Sequence, residues 1–315
     1  MLLFPAMASA ANAPPVFFPG TNMALEDGDI ILSSTLNSID VLNRVFGYPS
    51  GPYTHATLFL NLPDKGPQLL SFQASGLLYV DPAAYMARAY KMALVRLRPG
   101  SDSKRIRDAF TEVSRRKLEF DFDMRWPAID SPKTYCVGLI SQIFRVADLP
   151  DPFPFRAARP NDFWSRWGHQ TLNLDLAQIV SPNAVLAEKT FEVVATYQNP
   201  AINATGYEAM QNAVVNRIEH YLDVEKRNFA APSLGDLLVL RIAKLGLVEN
   251  APILSRLPPE KQRIFVVFND FMESVTRKTF RTMARDEEAV WSEKDVTDLT
   301  ESIADAYRDR YFVSP

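Results

Sequence analysis

The chain has 315 residues, of which 47% are hydrophobic and 23% charged, a balance that suits a globular fold and excludes a disordered or membrane-spanning chain. The net charge of −3 leaves no basic field for nucleic acid, and the single cysteine, Cys136, excludes an internal disulfide framework and any multi-cysteine zinc site. The length admits one large domain or two modest ones.

The chain begins MLLFPAMASAANAPP, a short apolar run with the small-x-small sites Ala8-Ser9-Ala10 and Ala11-Asn12-Ala13. It reads either as the back half of a secretory signal lacking its positive region or as an Ala/Pro tail. That tilts the location toward the periplasm or the exterior while leaving the cytoplasm open. No later stretch approaches the ~20 apolar residues a membrane span needs, so no transmembrane span is expected. Asp27-Gly28-Asp29 is a turn, and Ile30-Ile31-Leu32 a short buried strand. Leu36 to Phe46 has helical spacing. A Gly/Pro loop then leads into Tyr53-Thr54-His55-Ala56-Thr57-Leu58-Phe59-Leu60, a strand that opens on a histidine. Residues 68–74 and 92–98 are two further strands. Ser101 to Arg116 is an amphipathic helix with a basic, solvated face. Thr134 to Asp148 is a helix with Ile140, Ile143, Phe144 and Val146 turned inward, and Phe191 to Tyr197 a late strand. Segments 206–225, 233–246, 259–285 and 293–311 are helical. The domain reading is a tail or partial signal over 1–22, an α+β catalytic domain over 23–200, and an all-α extension over 201–315.

Cys136 falls in the first turn of its predicted helix. Unpaired N–H groups and the helix dipole there favour a thiolate, the nucleophile of cysteine catalysis, and the backbone N–H would lie where an oxyanion forms. Taken alone, the residue reads equally as a small buried side chain packing helix on sheet. His55 alone reads as hydrogen-bonded structure. Gln73, on the strand after His55, stands where an amide oxygen could fix the imidazole tautomer, the orienting role of a triad. His55, His169 and His220 have no metal-ligand spacing, and Walker, Gly-x-Gly-x-x-Gly and His-Glu-x-x-His signatures are absent, so no cofactor or metal is expected.

Five segments in order carry a resemblance: Gly28-Asp29-Ile30-Ile31-Leu32, Tyr53-Thr54-His55-Ala56-Thr57-Leu58, Phe72-Gln73-Ala74, Phe120-Asp121-Phe122 and Tyr135-Cys136-Val137-Gly138-Leu139. Together they resemble the permuted papain-like cysteine hydrolases of the YiiX/YebB type within the NlpC superfamily, in which the histidine precedes the cysteine. The resemblance spans roughly residues 25–200. It implies an antiparallel sheet or barrel packed on a cysteine-bearing helix. It also implies Cys136 as nucleophile, His55 as base and Gln73 as polar third member, with Tyr53 or Tyr135 assisting at the oxyanion. Relatives often carry glutamate at the Gln73 position and Ser-Glu in place of Val137-Gly138. A neutral amide stabilises an imidazolium less than a carboxylate does.

The expected activity is a hydrolase or acyltransferase working through a thioester on Cys136, as an amidase or peptidase or on acyl esters. Its substrates would be a small molecule, a peptide or a lipid acyl group. The apolar flank of Phe46, Tyr48, Pro52, Tyr53 and Phe72 leans toward an acyl chain. The alternative is a catalytically weak or inactive papain-like domain used for binding or assembly, with the helical extension meeting a protein partner.

Overall fold

The computed structural model describes residues 14–34, 52–73, 76–98, 103–115, 121–122, 133–154, 162–167, 180–199, 204–232, 258–285 and 291–314. The expected helices 36–46 and 233–246, the N-terminal segment 1–13, Phe46, Tyr48 and His169 lie outside them.

The fold is α+β and is built on a six-stranded antiparallel sheet of order β4 (Gly76–Val80), β3 (Gly66–Gln73), β2 (His55–Leu62), β1 (Ile30–Ser34), β5 (Lys91–Leu97) and β8 (Phe191–Gln198), while the two-residue strands β6 (Asp121–Phe122) and β7 (Lys133–Thr134) form a separate parallel pair. Strand β1 (Ile30–Ser34) is buried at all five positions, as its unbroken apolar run predicts. It pairs with β2 (His55–Leu62) on one side and β5 (Lys91–Leu97) on the other, so that Ile31 faces both Thr57 and Leu94. Strands β3 (Gly66–Gln73) and β4 (Gly76–Val80) extend the sheet beyond β2, and β8 (Phe191–Gln198) closes the other edge beside β5. The expected strands fall within a few residues of their observed ends. Strand β4 and the short helix α1 (Pro82–Met86), capped by the Asp81 carboxylate on the Ala84 N–H, were not anticipated.

Both sheet faces are covered. Alternation sends Ile30, Leu32, Ala56, Leu58, Leu60 and Leu70 to one face. There they meet Ile106, Phe110 and Val113 of α2 (Ser103–Arg115) and Val137, Ile140, Ile143 and Phe144 of α3 (Cys136–Val146). Ile31, Phe59, Leu69 and Leu94 go to the other face, under Phe18 and Leu25 of the N-terminal strap and Met86 of α1. Each fully buried aliphatic side chain of α3 contributes about 1.5–3 kcal/mol, which fixes this helix firmly on the sheet.

The turn Asp27-Gly28-Asp29 joins these layers. Gly28 sits at φ +94°, and a Cβ there would lie 2.2 Å from Ile106 Cδ1, so only glycine lets α2 settle onto the turn. Asp29, 1% exposed, accepts from Arg96 Nε and Nη2 at 2.7 Å each and from the Glu26 N–H at 2.8 Å. Asp27 pairs with Arg107, so one member of the expected solvated face of α2 is a tie to the turn.

Among the described residues, the C-terminal part holds α5 (Ala204–Glu219), which continues into a π turn at His220–Val224, then α6 (Pro259–Met283) and α7 (Glu293–Tyr311). The all-α expectation needs one correction. Phe312 and Phe229 pair across the two-residue strands β9 (Asn228–Phe229) and β10 (Phe312–Val313), because an extended backbone turns Phe312 into a cluster with Tyr221 and Phe271. Trp167, the last residue of α4 (Asp162–Trp167), stands 6.2 Å from both Phe229 and Phe268, and one contiguous core runs from the sheet into these helices.

Asp29→Ala should destabilise the protein by about 1.5–3 kcal/mol, because the Arg96 guanidinium loses its bidentate partner and keeps only Glu26 and the Ala24 carbonyl. Arg105→Ala, which removes only an exposed pair with Asp148, should cost under about 1 kcal/mol. Urea unfolding of the two variants checks the ranking.

Candidate functional site

Tyr135 is the N-cap of α3, in extended conformation at φ −143° and ψ −176°, and its side chain makes no capping hydrogen bond. The first N–H groups of the helix therefore need another acceptor. The backbone N–H groups of Ala56 in β2 and of Val137 act on the Cys136 sulfur in the direction that favours its thiolate. Pairing of β2 with β3 begins at Leu58 with Leu70, so Ala56 lies beyond that ladder, on the face that the cysteine helix covers. The sulfur thus stands at a helix N-terminus beside the end of β2, a place that favours negative charge.

The helix N-terminus was expected to favour the thiolate. Its hydrogen bonds do act in that direction, but burial outweighs them and pushes the Cys136 thiol up to about 11. The free cysteine is only partly exposed and packs against the core that holds α3 to the sheet. At neutral pH it is a protonated thiol.

His55 opens β2 as expected, and burial pushes it down to about 4, so its imidazole is neutral at neutral pH. Its ring Nε2 lies 3.0 Å from Ser71 Oγ in β3. This contact belongs to the sheet face opposite α3. His55 pairs with Ser33, whose hydroxyl lies 2.6 Å from Tyr85 Oη, and it alternates with Thr57 and Phe59. Cys136 packs on the other side, and no hydrogen bond joins it to His55. The two residues are brought to the same end of β2, where Cys136 meets the Ala56 backbone, but not into a pair. Gln73 closes β3, its backbone opposite Gly76, and its side chain lies outside the described residues. Ser71, not singled out in the sequence, holds the imidazole. Its signal was a lone hydroxyl within Leu69-Leu70-Ser71-Phe72.

The two tyrosines serve as attachments. Tyr135 is buried and accepts a hydrogen bond from the Val180 N–H at 3.2 Å. Burial raises its hydroxyl far above the ordinary range, and neighbouring Cys136 adds to the shift. The Tyr53 hydroxyl is raised by burial and by Glu208, and its backbone is gripped by Asn183. Tyr53 and Phe72 are core residues, so this part of the expected apolar flank is wall rather than open surface. Gly138, at the Val-Gly departure, gives Thr134 its room, since a Cβ there would lie 2.5 Å from Thr134 Oγ1. His220 lies in the π turn with Nε2 3.4 Å from Glu225 Oε1. Among the described residues no group of three His, Cys, Asp or Glu could hold a metal, and no helix is long and apolar enough to cross a membrane.

The fold and site define an α+β chain with one cysteine at a helix N-terminus against a histidine-led strand. No family model matches the chain, and no curated protein matches it. Among solved structures it is similar to the metalloprotein yiiX from Escherichia coli O157:H7 (DUF1105), at 17% identity and a TM-score of 0.45, over 55% of this chain and 98% of that one. That likeness transfers no residue roles.

Two outcomes are expected. The unfolded chain protonates His55 near its ordinary 6.5, whereas the folded chain resists until about 4. Stability is therefore flat above the higher value and lost as pH falls through the lower, by up to about 3 kcal/mol. His55→Asn should flatten this acid limb in urea unfolding compared at about pH 7 and about pH 4.5. Gly138→Ala should destabilise by about 1–3 kcal/mol despite the better helix propensity of alanine, and the double variant with Thr134→Ala should recover most of the loss.

Proposed function

We propose that the chain is a cysteine-dependent hydrolase or acyltransferase of the permuted papain-like type, forming a thioester on Cys136 with His55 as general base. The observation that supports this reading is the place of Cys136 as first residue of α3, beside the end of the strand that His55 opens, where the Ala56 and Val137 N–H groups favour its thiolate. A helix N-terminus is a suitable place for a developing anion.

In the resting arrangement both reactants are uncharged. The thiol keeps its proton because burial penalises the thiolate, and the imidazole is neutral with Ser71 as its partner. Because His55 and Cys136 stand on opposite faces, reaction requires the end of β2, where the ladder to β3 has stopped, to turn so that His55 leaves Ser71 and meets Cys136. The neutral imidazole then takes the thiol proton, and the sulfur attacks the acyl carbonyl. Backbone N–H groups at the start of α3 hold the oxyanion. The imidazolium returns the proton to the leaving amine or alcohol as the thioester forms. Water or another acceptor, deprotonated by the same imidazole, releases the acyl group. An amide or ester of a small molecule, peptide or lipid fits this chemistry. Gln73 would remain the polar third member through β3, with Ser71 as its competitor for the imidazole.

A second reading has its own observation. With the imidazole on Ser71 and the thiol pushed up by burial, the domain as it stands is catalytically silent and would serve as a binding module.

Acylation by an activated ester at neutral pH separates the two. The hydrolase reading expects a thioester on Cys136, its formation slowed about 10²–10⁴-fold in His55→Ala and abolished in Cys136→Ala. Iodoacetamide reactivity should rise only above the free-thiol value of ~8.5. A wild-type rate equal to that of His55→Ala would leave the binding module as the function.

A further inference from the structure

We infer that Asn183 is a positioning residue that holds the base strand and the nucleophile helix in register through the segment Val180–Asn183. Its role toward catalysis rests on the hydrolase reading, whereas its role in placing the His55 strand does not.

Asn183 is the second residue of a 3₁₀ helix (Pro182–Ala187) whose N-cap is Ser181. The residue is 5% exposed and every polar atom of its amide is engaged. Oδ1 accepts the Tyr53 N–H at 3.1 Å, and Nδ2 donates to the Tyr53 carbonyl at 2.7 Å and to Ser181 Oγ at 3.0 Å. The Tyr53 peptide offers one donor and one acceptor, so the amide orientation is fixed by its partners. The side chain thus acts as a strand neighbour for Tyr53, two residues before His55, on a stretch of chain that has no sheet partner at that point. The flanking bonds complete the hold. Ser34 Oγ donates to the Pro52 carbonyl, and the Thr54 N–H donates to the Ser33 carbonyl at 3.0 Å.

The other end of the same segment meets the cysteine helix. The Val180 N–H donates to Tyr135 Oη, and Tyr135 is the N-cap residue immediately before Cys136. One short segment therefore holds the backbone before His55 and the side chain before Cys136. The sequence signal was Ser181-Pro182-Asn183, a helix start of the Ser N-cap and Pro N1 type.

The test compares Asn183→Ala and Asn183→Asp with Ser181→Ala. Ser181→Ala removes the cap of the 3₁₀ helix but leaves both bonds to Tyr53, and so reports loosening alone. The readouts are the His55 titration by NMR, the pH profile of Cys136 alkylation, and acylation by the activated ester, with thermal unfolding as reference. In both Asn183 variants the His55 titration should move from about 4 toward the ordinary ~6.5 as water reaches the released strand end. Cys136 alkylation should shift toward lower pH, and ester acylation should fall at least tenfold. Ser181→Ala should lower Tm while leaving all three in place. Equal effects of Ser181→Ala and Asn183→Ala at matched loss of Tm, or an unmoved His55 titration in Asn183→Ala, would overturn the inference. If the wild type forms no thioester, the hydrolase reading falls, and the His55 titration still decides the role of Asn183.

Discussion

Strand β1 is hydrogen-bonded on both edges and buried on both faces, and the rest of the molecule follows from having to cover it. A strand of isoleucine, leucine and serine cannot present either face to water. Helices α2 and α3 supply one cover, and the N-terminal strap with α1 the other. Neighbouring β2 inherits the same two covers, so alternate residues of the Tyr53–Leu60 stretch belong to different cores. Ala56 meets the cysteine helix while His55 meets Ser71. The separation of thiol and imidazole is therefore a consequence of sheet geometry, not of a displaced loop.

Burial also sets the charge state at this end of the sheet. Backbone N–H groups of Ala56 and Val137 pull the thiol toward ionisation, and burial pulls harder the other way. Burial likewise keeps the imidazole unprotonated. Both groups are therefore held neutral at neutral pH.

Much of the α+β plan was legible in the chain. The Asp27-Gly28-Asp29 turn, the histidine-led strand and the apolar spacing of α3 placed their elements within a few residues, because each is governed by local periodicity and turn chemistry. The site was legible in part. Period-two alternation marks Ser71 and Gln73 alike, and choosing between them requires knowing where β2 parts from β3, which no local pattern encodes. The sign of the Cys136 shift depends on how completely α3 buries its own first turn. Asn183 was invisible as a site residue because its partner lies 130 positions earlier. Strands β9 and β10 were missed because two residues carry no periodicity.

The distance along the chain between Tyr53 and Asn183 sets an order of events during synthesis. The histidine strand and the cysteine helix both leave the ribosome before the segment that holds them together has been made. That contact joins positions 130 apart in the chain, and contacts of such long range form slowly. A nascent chain would thus carry both chemical groups for an interval with neither held against the other. Final placement of these groups would be a property of the finished molecule alone.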